Sequence, residues 1–264
     1  MSELSLVSPA PSRIRLQFAS DESDMQAVQK LRWRVFYEEM GAIPDACSTI
    51  GLDSDPFDCV CDHLLVIDDS RRGEDRVVGT YRLLRESSAM RHGGFYSAGE
   101  YDLRPLVGHS RRNGGELLEL GRSCVLPEYR NSATIALLWR GVAAYIEQHG
   151  IGLMFGCASF PGTEVAQHAA ALSYLHHHHL APVEMRPIAH ADNHVPMELL
   201  HPGSYDPRAA LHALPPLIKA YLRVGALVGA GAFVDRQFNT VDVSVVMPVT
   251  MISRRYATRF SVAA

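Results

Sequence analysis

The sequence predicts an α/β fold in which a mixed sheet is flanked by helices. Two short apolar runs at 63–67 and 76–84 are joined by the turn-forming segment DDSRRGED, a pattern that predicts an antiparallel hairpin. Farther along, a strand over 116–126, a helix over 132–149 and a second, shorter strand follow one another at the lengths of a crossover unit. That alternation predicts two neighbouring parallel strands.

One strand and one helix are predicted ahead of the hairpin. Ile14, Leu16 and Phe18 alternate with polar residues, which is typical of a half-buried strand. Asp21 offers a side-chain cap for a helix expected over about 24–40.

The later elements are predicted from turn residues and periodicity. The segment at 86–115 is rich in Gly, Ser and Arg and is expected to be loop with one short helix. Thr163 is expected to cap a helix that runs into the histidines at 176–179. Pro216 starts a short helix, and alternating valines after position 240 predict a late strand that completes the same sheet.

Composition limits the class of protein. Hydrophobic residues make up 47% of the 264 positions and the net charge is −4, so the chain has globular composition and lacks the concentrated basic charge of a nucleic-acid-binding protein. The five cysteines are an odd number without a CxxC pair, which favours reduced thiols. The N-terminus lacks an export signal, and charged residues interrupt the apolar stretch at 217–234. We therefore expect a cytoplasmic protein with a mobile arm over 1–12.

Four motifs in the first half resemble a known family: LRWRVFYEEMG at 31–41, DHLLV at 62–66, VVGTYRLL at 77–84 and ELGRSCVLPEYR at 119–130. Together with the order of elements they resemble the acyl-homoserine-lactone synthases, which have the GCN5-related N-acetyltransferase fold and take acyl groups from acyl carrier protein. The resemblance implies functional roles for Arg32, Phe36, Asp55, Asp58, Arg82, Glu119 and Arg122. Where that family carries a Trp six residues after the Phe, this sequence has Ala42, which argues against a signal synthase.

The second half is similar to another family with this fold. The segments FGCASFPGT, ALSYLHHHHLAP, LPPLIKAYLRVGALVGAGAFVD and FNTVDVSVVMP resemble the ornithine N-acyltransferases, over roughly 14–250 in all. The resemblance implies transfer of a 3-hydroxyacyl chain from acyl carrier protein to the α-amine of ornithine, giving a lyso-ornithine lipid. It also implies one acyltransferase domain over 13–264, with an acetyltransferase-like core at 13–180 and a C-terminal extension at 181–264 that completes the sheet and the substrate site.

Amide formation from a thioester requires a neutral amine, a polarised carbonyl and a group that removes a proton. Glu119 and Arg122 are the predicted catalytic pair, and Glu119 is the carboxylate that would position or deprotonate the amine. On a regular strand these two side chains face opposite sides, so a bulge at Gly121 is needed to bring them together. The alternative is a structural Glu119 that pairs with Arg32 or Arg82.

The predicted substrate-binding residues are Arg32, Phe36, Asp55, Asp58 and Arg82. The arginines either hold the thioester and the acceptor carboxylate or neutralise acids in the core, because a buried arginine must be paired in both cases. The acids between Asp53 and Asp62 are expected either to bind a dicationic acceptor or to form a solvated loop.

The donor site is predicted after the long strand. The segment LPEYRNSATIAL lacks the glycines of a loop that binds coenzyme A pyrophosphate. Arg130, Asn131 and Ser132, at the start of the predicted helix, are expected to bind the single phosphate of carrier-linked phosphopantetheine. Acyl carrier proteins are acidic, so Arg130 is expected to join Arg111, Arg112 and Arg140 in a local basic patch. The alternative is that these arginines are ordinary solvated surface charges, which fits Arg140 best.

No metal and no cofactor beyond the thioester donor are expected. Neither the Cys59, Cys61 and His63 triplet nor the histidines at 176–179 have the spacing of a zinc site. Cys124 is a covalent acyl carrier or, more commonly for such a residue, part of the core.

Two further interpretations stay open at the level of sequence. One is an acyl-homoserine-lactone synthase. The other is a non-catalytic lipid-binding or membrane-active protein, suggested by the apolar stretch at 224–234 and the basic tail SRRYATRF. Peripheral contact with the inner membrane fits the lipid product and this second interpretation equally.

Overall fold

The computed structural model describes residues 13–44 and 49–252. The strands within these ranges are β1 (Ile14–Phe18), β2 (Asp62–Asp68), β3 (Val77–Arg85), β4 (Tyr101–Asp102), β5 (Glu116–Val125), β6 (Ile151–Pro161), β7 (Ile188–Ala189), β8 (His194–Val195), β9 (Leu227–Asp235) and β10 (Thr240–Pro248). The helices are α1 (Glu22–Trp33), α2 (Glu86–Arg91), α3 (Arg104–Asn113), α4 (Ser132–His149), α5 (Ala169–His179), α6 (Pro207–Ala213) and α7 (Pro216–Arg223).

The strands form one mixed sheet in the order β1-β2-β3-β5-β6-β10-β9-β7-β4, and β8 pairs with β9 beside this path. The long strands pair antiparallel with their neighbours, except that β5 and β6 run parallel. These pairings confirm the hairpin of β2 and β3 and the parallel neighbours joined by α4. The late strand β10 pairs with β6 from Thr240 to Pro248, so it continues the sheet of the first half.

Helices cover both faces of the sheet. Gly141 of α4 lies directly against Leu64 of β2, and Tyr221 of α7 bonds Tyr81 of β3 through their hydroxyls at 2.9 Å. Side chains alternate along a strand, so Arg82, the residue after Tyr81, faces the opposite side. That opposite face carries α1, α2 and α3, and the candidate site lies between it and these helices.

The segment between 86 and 115 is more ordered than its composition predicts. It contains α2, a 3-10 turn at Tyr96–Gly99, β4 and α3, where one short helix was expected. Apolar residues that stand isolated in the sequence, such as Phe95 and Leu106, are buried together against Phe155 of the sheet. Tertiary packing, which a short sequence window does not contain, therefore orders this segment.

Two other elements differ from expectation. The strand β6 continues to Pro161 because it pairs with β10 along that length, and α5 begins only at Ala169, after a 3-10 turn at Val165–His168. Thr163 is therefore not its cap. The first helix has the expected Asp21 cap and extends beyond Trp33 as a π-helical segment over Arg34–Glu39.

The apolar stretch at 224–234 forms most of β9. Val228 and Ala232 are fully buried between neighbouring strands, so burial in the sheet accounts for its composition. None of the helices described within 13–44 and 49–252 is long and apolar enough to cross a membrane. The predicted arm at 1–12 and the basic tail at 253–260 lie outside the described residues, and the division of the chain at residue 180 stays a prediction.

Candidate active site

Three arginines and three aspartates form a closed ring of ion pairs on the α1 face of the sheet. Each arginine contacts two aspartates and each aspartate contacts two arginines, at N–O distances between 2.6 and 3.3 Å. In order around the ring, the members are Arg32, Asp53, Arg122, Asp55, Arg82 and Asp58. All six come from α1, the segment before β2, and the strands β3 and β5.

The ring is formally neutral and mostly buried. Arg32 is fully buried, and its three guanidinium nitrogens bond the Asp53 and Asp58 carboxylates and the Asp53 carbonyl. Burial opposes ionisation of Asp58, but hydrogen bonds and charge from Arg32 and Arg82 outweigh it and lower its pKa. The carboxylates that the sequence offered for an acceptor cation are thus already neutralised by the chain's own arginines, and this favours the architectural interpretation for Arg32 and Arg82.

Glu119 is buried at the middle of β5 and is held by backbone amides. Its Oε2 accepts from the Tyr96 amide at 2.8 Å, and its Oε1 accepts from the Ser97 amide at 2.7 Å. Burial raises the pKa of Glu119, and the hydrogen bonds from Ser97 and Tyr96 only partly offset that rise. The alternative in which Glu119 pairs directly with Arg32 or Arg82 is therefore not the arrangement found.

A β-bulge brings Arg122 to the same side as Glu119. Thr80 pairs with Cys124 and Arg82 pairs with Gly121, so Arg122 and Ser123 together lie opposite Tyr81. Arg122 has a φ of 47°, in the left-handed region. The bulge thus lies one residue beyond the Gly121 position expected from the sequence. Its effect is the expected one, because an extra residue reverses the alternation of side chains.

Arg122 and Glu119 converge on Tyr96. The guanidinium of Arg122 lies 4.8 Å from the centre of the Tyr96 ring and 4.5 Å from that of Phe238. A polar cleft of about 90 Å³ opens beside them. It is lined by Tyr37, Asp53, Ser54, Asp55, Tyr96, Arg122 and Gln237. Phe36 packs edge-on against Phe238 at 5.9 Å and so supports this cleft from behind.

Next to Glu119 the parallel strands separate. The ladder between β5 and β6 runs from Glu116 opposite Ile151 to Glu119 opposite Phe155 and ends there. At the next position Gly156 lies so close to the Leu120 carbonyl that a Cβ would overlap its oxygen. A small cavity opens at this point between Leu120, Gly156 and Tyr221. The divergence begins at the residue predicted to be catalytic.

Arg130, Asn131 and Ser132 lie together where β5 ends and α4 begins, as the sequence predicted. Arg130 forms a two-pronged pair with Glu39 at 2.6 Å, and its Nε donates to the Val125 carbonyl at 2.9 Å. Asn131 caps α4 by accepting from the Thr134 amide at 3.0 Å. Part of the charge and one of the amides expected to bind phosphate are therefore engaged within the chain.

The single basic patch expected from Arg111, Arg112, Arg130 and Arg140 is wrong. Arg111 and Arg112 end α3, just before β5 starts, whereas Arg130 follows the end of β5. A ten-residue strand separates them by ~30 Å. Arg111 and Arg112 precede β5 in the sequence and Arg130 follows it, so the fold holds them at opposite ends of that strand.

The contacts of Cys124, His63 and His177 favour a packing role for these residues. Burial raises the pKa of the Cys124 thiol to about 12, so it is protonated at neutral pH and suits the core better than an acyl carrier. His63 bonds the Asp58 carbonyl at 3.1 Å, and His177 bonds the Tyr205 hydroxyl at 2.9 Å. The expectation of no metal stays a prediction.

Sequence reasoning missed two sets of residues. Tyr96 and Ser97 hold Glu119 through their backbone amides. Almost any residue can donate in this way, so the side chains give no sign of the role. Glu100, Asp235 and Asp242 bring carboxylate oxygens within 4.8 Å of one another. A signal for the second set existed, because Asp242 interrupts a run of buried valines in β10.

Comparisons with known proteins show the fold and the family of this chain. The family model of the acetyltransferase (GNAT) domain matches residues 31–140. L-ornithine N(alpha)-acyltransferase of Agrobacterium fabrum is 49% identical over 92% of this chain and 83% of its own length. The enzyme of the same name from Rhizobium meliloti is 48% identical over 93% of this chain and 83% of its own length. The solved structure of a coenzyme A-dependent acyl-homoserine lactone synthase with MTA superposes with a TM-score of 0.50 at 15% identity, covering 94% of this chain and 87% of that one.

The match to the GNAT family model and the mixed sheet, in which β5 and β6 run parallel, indicate an acyltransferase with the GNAT fold. The lactone synthase similarity shows the fold alone. The sequence identity of 48–49% with the two relatives, over most of each chain, is more specific. It shows that this chain belongs to the L-ornithine N(alpha)-acyltransferase family. The predicted fold class and family are confirmed.

Proposed function

We propose that this chain transfers a 3-hydroxyacyl group from the phosphopantetheine thioester of an acyl carrier protein to the α-amine of L-ornithine, which gives a lyso-ornithine lipid. The observation that carries the proposal is the position of Glu119. It is a buried carboxylate, fixed by two backbone amides, one of them from Tyr96, which lines the cleft, and it is the last residue of β5 that pairs with β6.

The acceptor is proposed to occupy the polar cleft. Of the three arginines in the ion-pair ring, Arg122 is the one that lines this cleft. It is therefore suited to bind the α-carboxylate of the acceptor. The α-amine then points to Glu119, whose oxygens each keep a second lone pair beyond the one used by an amide. In this proposal Arg32 and Arg82 hold Asp55 and Asp58 in place and do not touch the acceptor.

The donor thioester is proposed to enter between the separated ends of β5 and β6. The acceptor nitrogen attacks the thioester carbon, a C–N bond forms, and the C–S bond breaks. Glu119 takes the amine proton, and the departing thiolate of the phosphopantetheine arm is protonated by solvent. A backbone amide at the open edge of either strand is suited to bind the developing oxyanion.

A carrier-bound donor is supported by the start of α4. The Asn131 side chain already occupies the Thr134 amide, which leaves the helix N-terminus fewer donors for a diphosphate than a glycine-rich loop has. A single phosphate, as in phosphopantetheine, needs fewer. We propose no further cofactor, a cytoplasmic location, and peripheral contact with the inner membrane because the product carries a long acyl chain.

The test is a transfer assay with the purified chain, a 3-hydroxyacyl carrier protein and L-ornithine, followed by mass spectrometry of the product. We expect the Nα-acylated ornithine, and a much slower reaction with the same acyl group on coenzyme A. Equal rates from coenzyme A would overturn the donor assignment. Acylation of S-adenosylmethionine with release of a lactone would instead support a signal synthase.

A further inference from the structure

We infer that Glu100, Asp235 and Asp242 bind the side-chain ammonium of the amino-acid acceptor and so select a dibasic acceptor over a neutral one. The inference rests on the proposed function, since it assigns the part of the acceptor that lies beyond the reacting amine. It also replaces the assignment of this cation to Asp55 and Asp58.

The three carboxylates come from three different elements and meet in one place. Glu100 follows the Tyr96–Gly99 turn, Asp235 ends β9, and Asp242 lies in β10, with oxygens within 4.8 Å of one another. Glu100 and Asp242 are buried and Asp235 is half-buried. Within 13–44 and 49–252 no arginine, lysine or histidine forms an ion pair with any of them, in contrast with the fully paired ring.

The group contains a buried polar atom whose partner is missing. Among the described residues, Asp242 Oδ1 has no hydrogen-bond partner of good geometry. The hydroxyls of Thr240 and Ser159 lie beside the Asp242 carboxylate and act to lower its pKa, but burial outweighs them. Leaving a buried polar atom unsatisfied is unfavourable. An ammonium, with three donors and no acceptor, supplies the missing hydrogen bond.

The group lies on the Glu119 side of the sheet, close enough to Glu119 to be influenced by its charge. Phe155, opposite Glu119, is two residues before Cys157, whose thiol donates to Glu100 Oε2 at 3.1 Å. Glu100 itself follows Ser97, whose amide binds Glu119, by three residues. The charge of Glu119 contributes to the raised pKa of Glu100, so the two carboxylates are electrostatic neighbours. Four carbons separate the two amines of ornithine, and an acceptor bound at Glu119 can reach Glu100.

Electrostatics favour occupation by a cation. Burial is the main cause that raises the pKa of Glu100, and repulsion from Asp242 adds to it. Burial likewise raises the pKa of Asp242, with a further contribution from Asp235. Because these effects raise the pKa of Glu100 to about 8, Glu100 holds a proton at neutral pH when no cation is present. An entering ammonium displaces that proton and pairs with the ionised acids, whereas a neutral side chain cannot, so the group discriminates between the two acceptors.

The test compares L-ornithine with L-norvaline, which has the same carbon chain and lacks the terminal amine. We expect the wild-type enzyme to prefer ornithine in kcat/KM, and Glu100→Gln or Asp242→Asn to lower this ratio by about tenfold or more. The rate with norvaline should change only a few-fold, because both variants keep the side-chain shape. Asp192→Asn, on an exposed turn, is the matched control and should leave the ratio unchanged.

If both buried variants fail to fold, Asp235→Asn tests the same ratio at a half-buried position. A ratio unchanged in a folded variant of the group overturns the inference while the proposed function stands. A wild-type enzyme that acylates neither amino acid overturns the proposed function itself. Calorimetric titration of the metal-free enzyme with MgCl₂ and CaCl₂ decides the remaining alternative, because stoichiometric binding that Glu100→Gln abolishes would make the group a metal site.

Discussion

Glu119 shows how much of a side chain's function is set by backbone atoms around it. Each of its oxygens accepts from a different amide, so a carboxylate fits this place better than an amide side chain does. In the Glu119→Gln variant, one end of the side chain would be an NH₂ group facing a backbone N–H. The substitution therefore removes the charge and one hydrogen bond together, and its test needs a control for folding.

Glu119→Gln should lower turnover by ~10² to 10⁴, since the variant neither orients nor deprotonates the amine. The matched control is Glu116→Gln, on the same strand, where the carboxylate accepts from the Ser87 amide at 2.7 Å at the strand's beginning. The control should keep nearly full activity. Turnover with saturating ornithine and thermal unfolding of both variants are the measurements, and an active, folded Glu119→Gln enzyme would remove Glu119 from the mechanism.

The pH dependence should reveal the same group. The basic form of Glu119 is needed, and burial raises its pKa, so activity should begin to fall at a higher pH than for an ordinary glutamate as acid is added. The reacting amine must also be neutral, so the rate should rise with pH until the α-amine of the acceptor is deprotonated. If the profile of kcat/KM against pH shows only the rise caused by deprotonation of the amine, Glu119 does not act as a base.

Arg32 should matter for stability and not for chemistry. Its removal leaves Asp53 and Asp58 buried without their main partner, which costs about 3–5 kcal/mol. Arg32→Met should lower the free energy of unfolding in urea by that amount. Arg15→Met, which breaks an exposed pair with Asp69, should cost less than about 1 kcal/mol. If Arg32→Met and Arg15→Met lower the free energy of unfolding equally, the ring stabilises the fold no more than an exposed ion pair does.

At the scale of elements, the sequence predicts regular strands and helices better than their irregularities. Alternation and caps predict β1, β2, β3 and both ends of α4, because those signals are local. A bulge near Gly121 was predicted from the need to join Glu119 and Arg122, and it occurs one residue later. The ion-pair ring was beyond prediction, since it depends on how α1, a loop and two strands meet in space. The same holds for the amides of Tyr96 and Ser97.

Gly156 tests the separation of β5 and β6. A methyl group there would overlap the Leu120 carbonyl oxygen, which is backbone and has no freedom to rotate away. Gly156→Ala should cost ~1–3 kcal/mol of stability and lower activity with the long thioester donor. Gly108→Ala, inside α3, meets only the end of the Arg112 side chain and should be neutral or stabilising. A Gly156→Ala enzyme with normal stability would show that the strands can move apart freely.

At the scale of the whole molecule, the fold determines which arginines are paired with acids, and the sequence alone does not show this pairing. Three arginines are engaged in the ring, and Arg34, Arg76 and Arg104 pair with nearby aspartates. The chain is acidic overall, so a surface for an acidic carrier must be a local excess of positive charge. The opening between β5 and β6 faces the end of β5 where α4 starts. The docking surface is therefore expected at that end and not beside Arg111 and Arg112.

Arg72, which forms no ion pair among the described residues, and Arg130, which shares its charge with Glu39, are the candidates at that end. Arg71, the neighbour of Arg72, pairs with Glu128 at 3.3 Å, which places the tip of the β2–β3 hairpin beside the segment that follows β5. Both Arg72 and Arg130 are exposed. Reversal of both to Glu should slow transfer from an acyl carrier protein through weaker association, and the loss should shrink as salt is raised.

Reversal of Arg111 and Arg112 to Glu is the matched control, since it changes the net charge by the same amount at the opposite end of β5. Long-range repulsion between an acidic enzyme and an acidic carrier would affect both double variants alike, whereas docking beside α4 affects only the first. A short pantetheine thioester, which carries no protein, should react equally with both. If the Arg111 and Arg112 reversal slows carrier-dependent transfer as much as the other, the carrier docks elsewhere, because only a non-specific field or a surface shared by both ends gives that result.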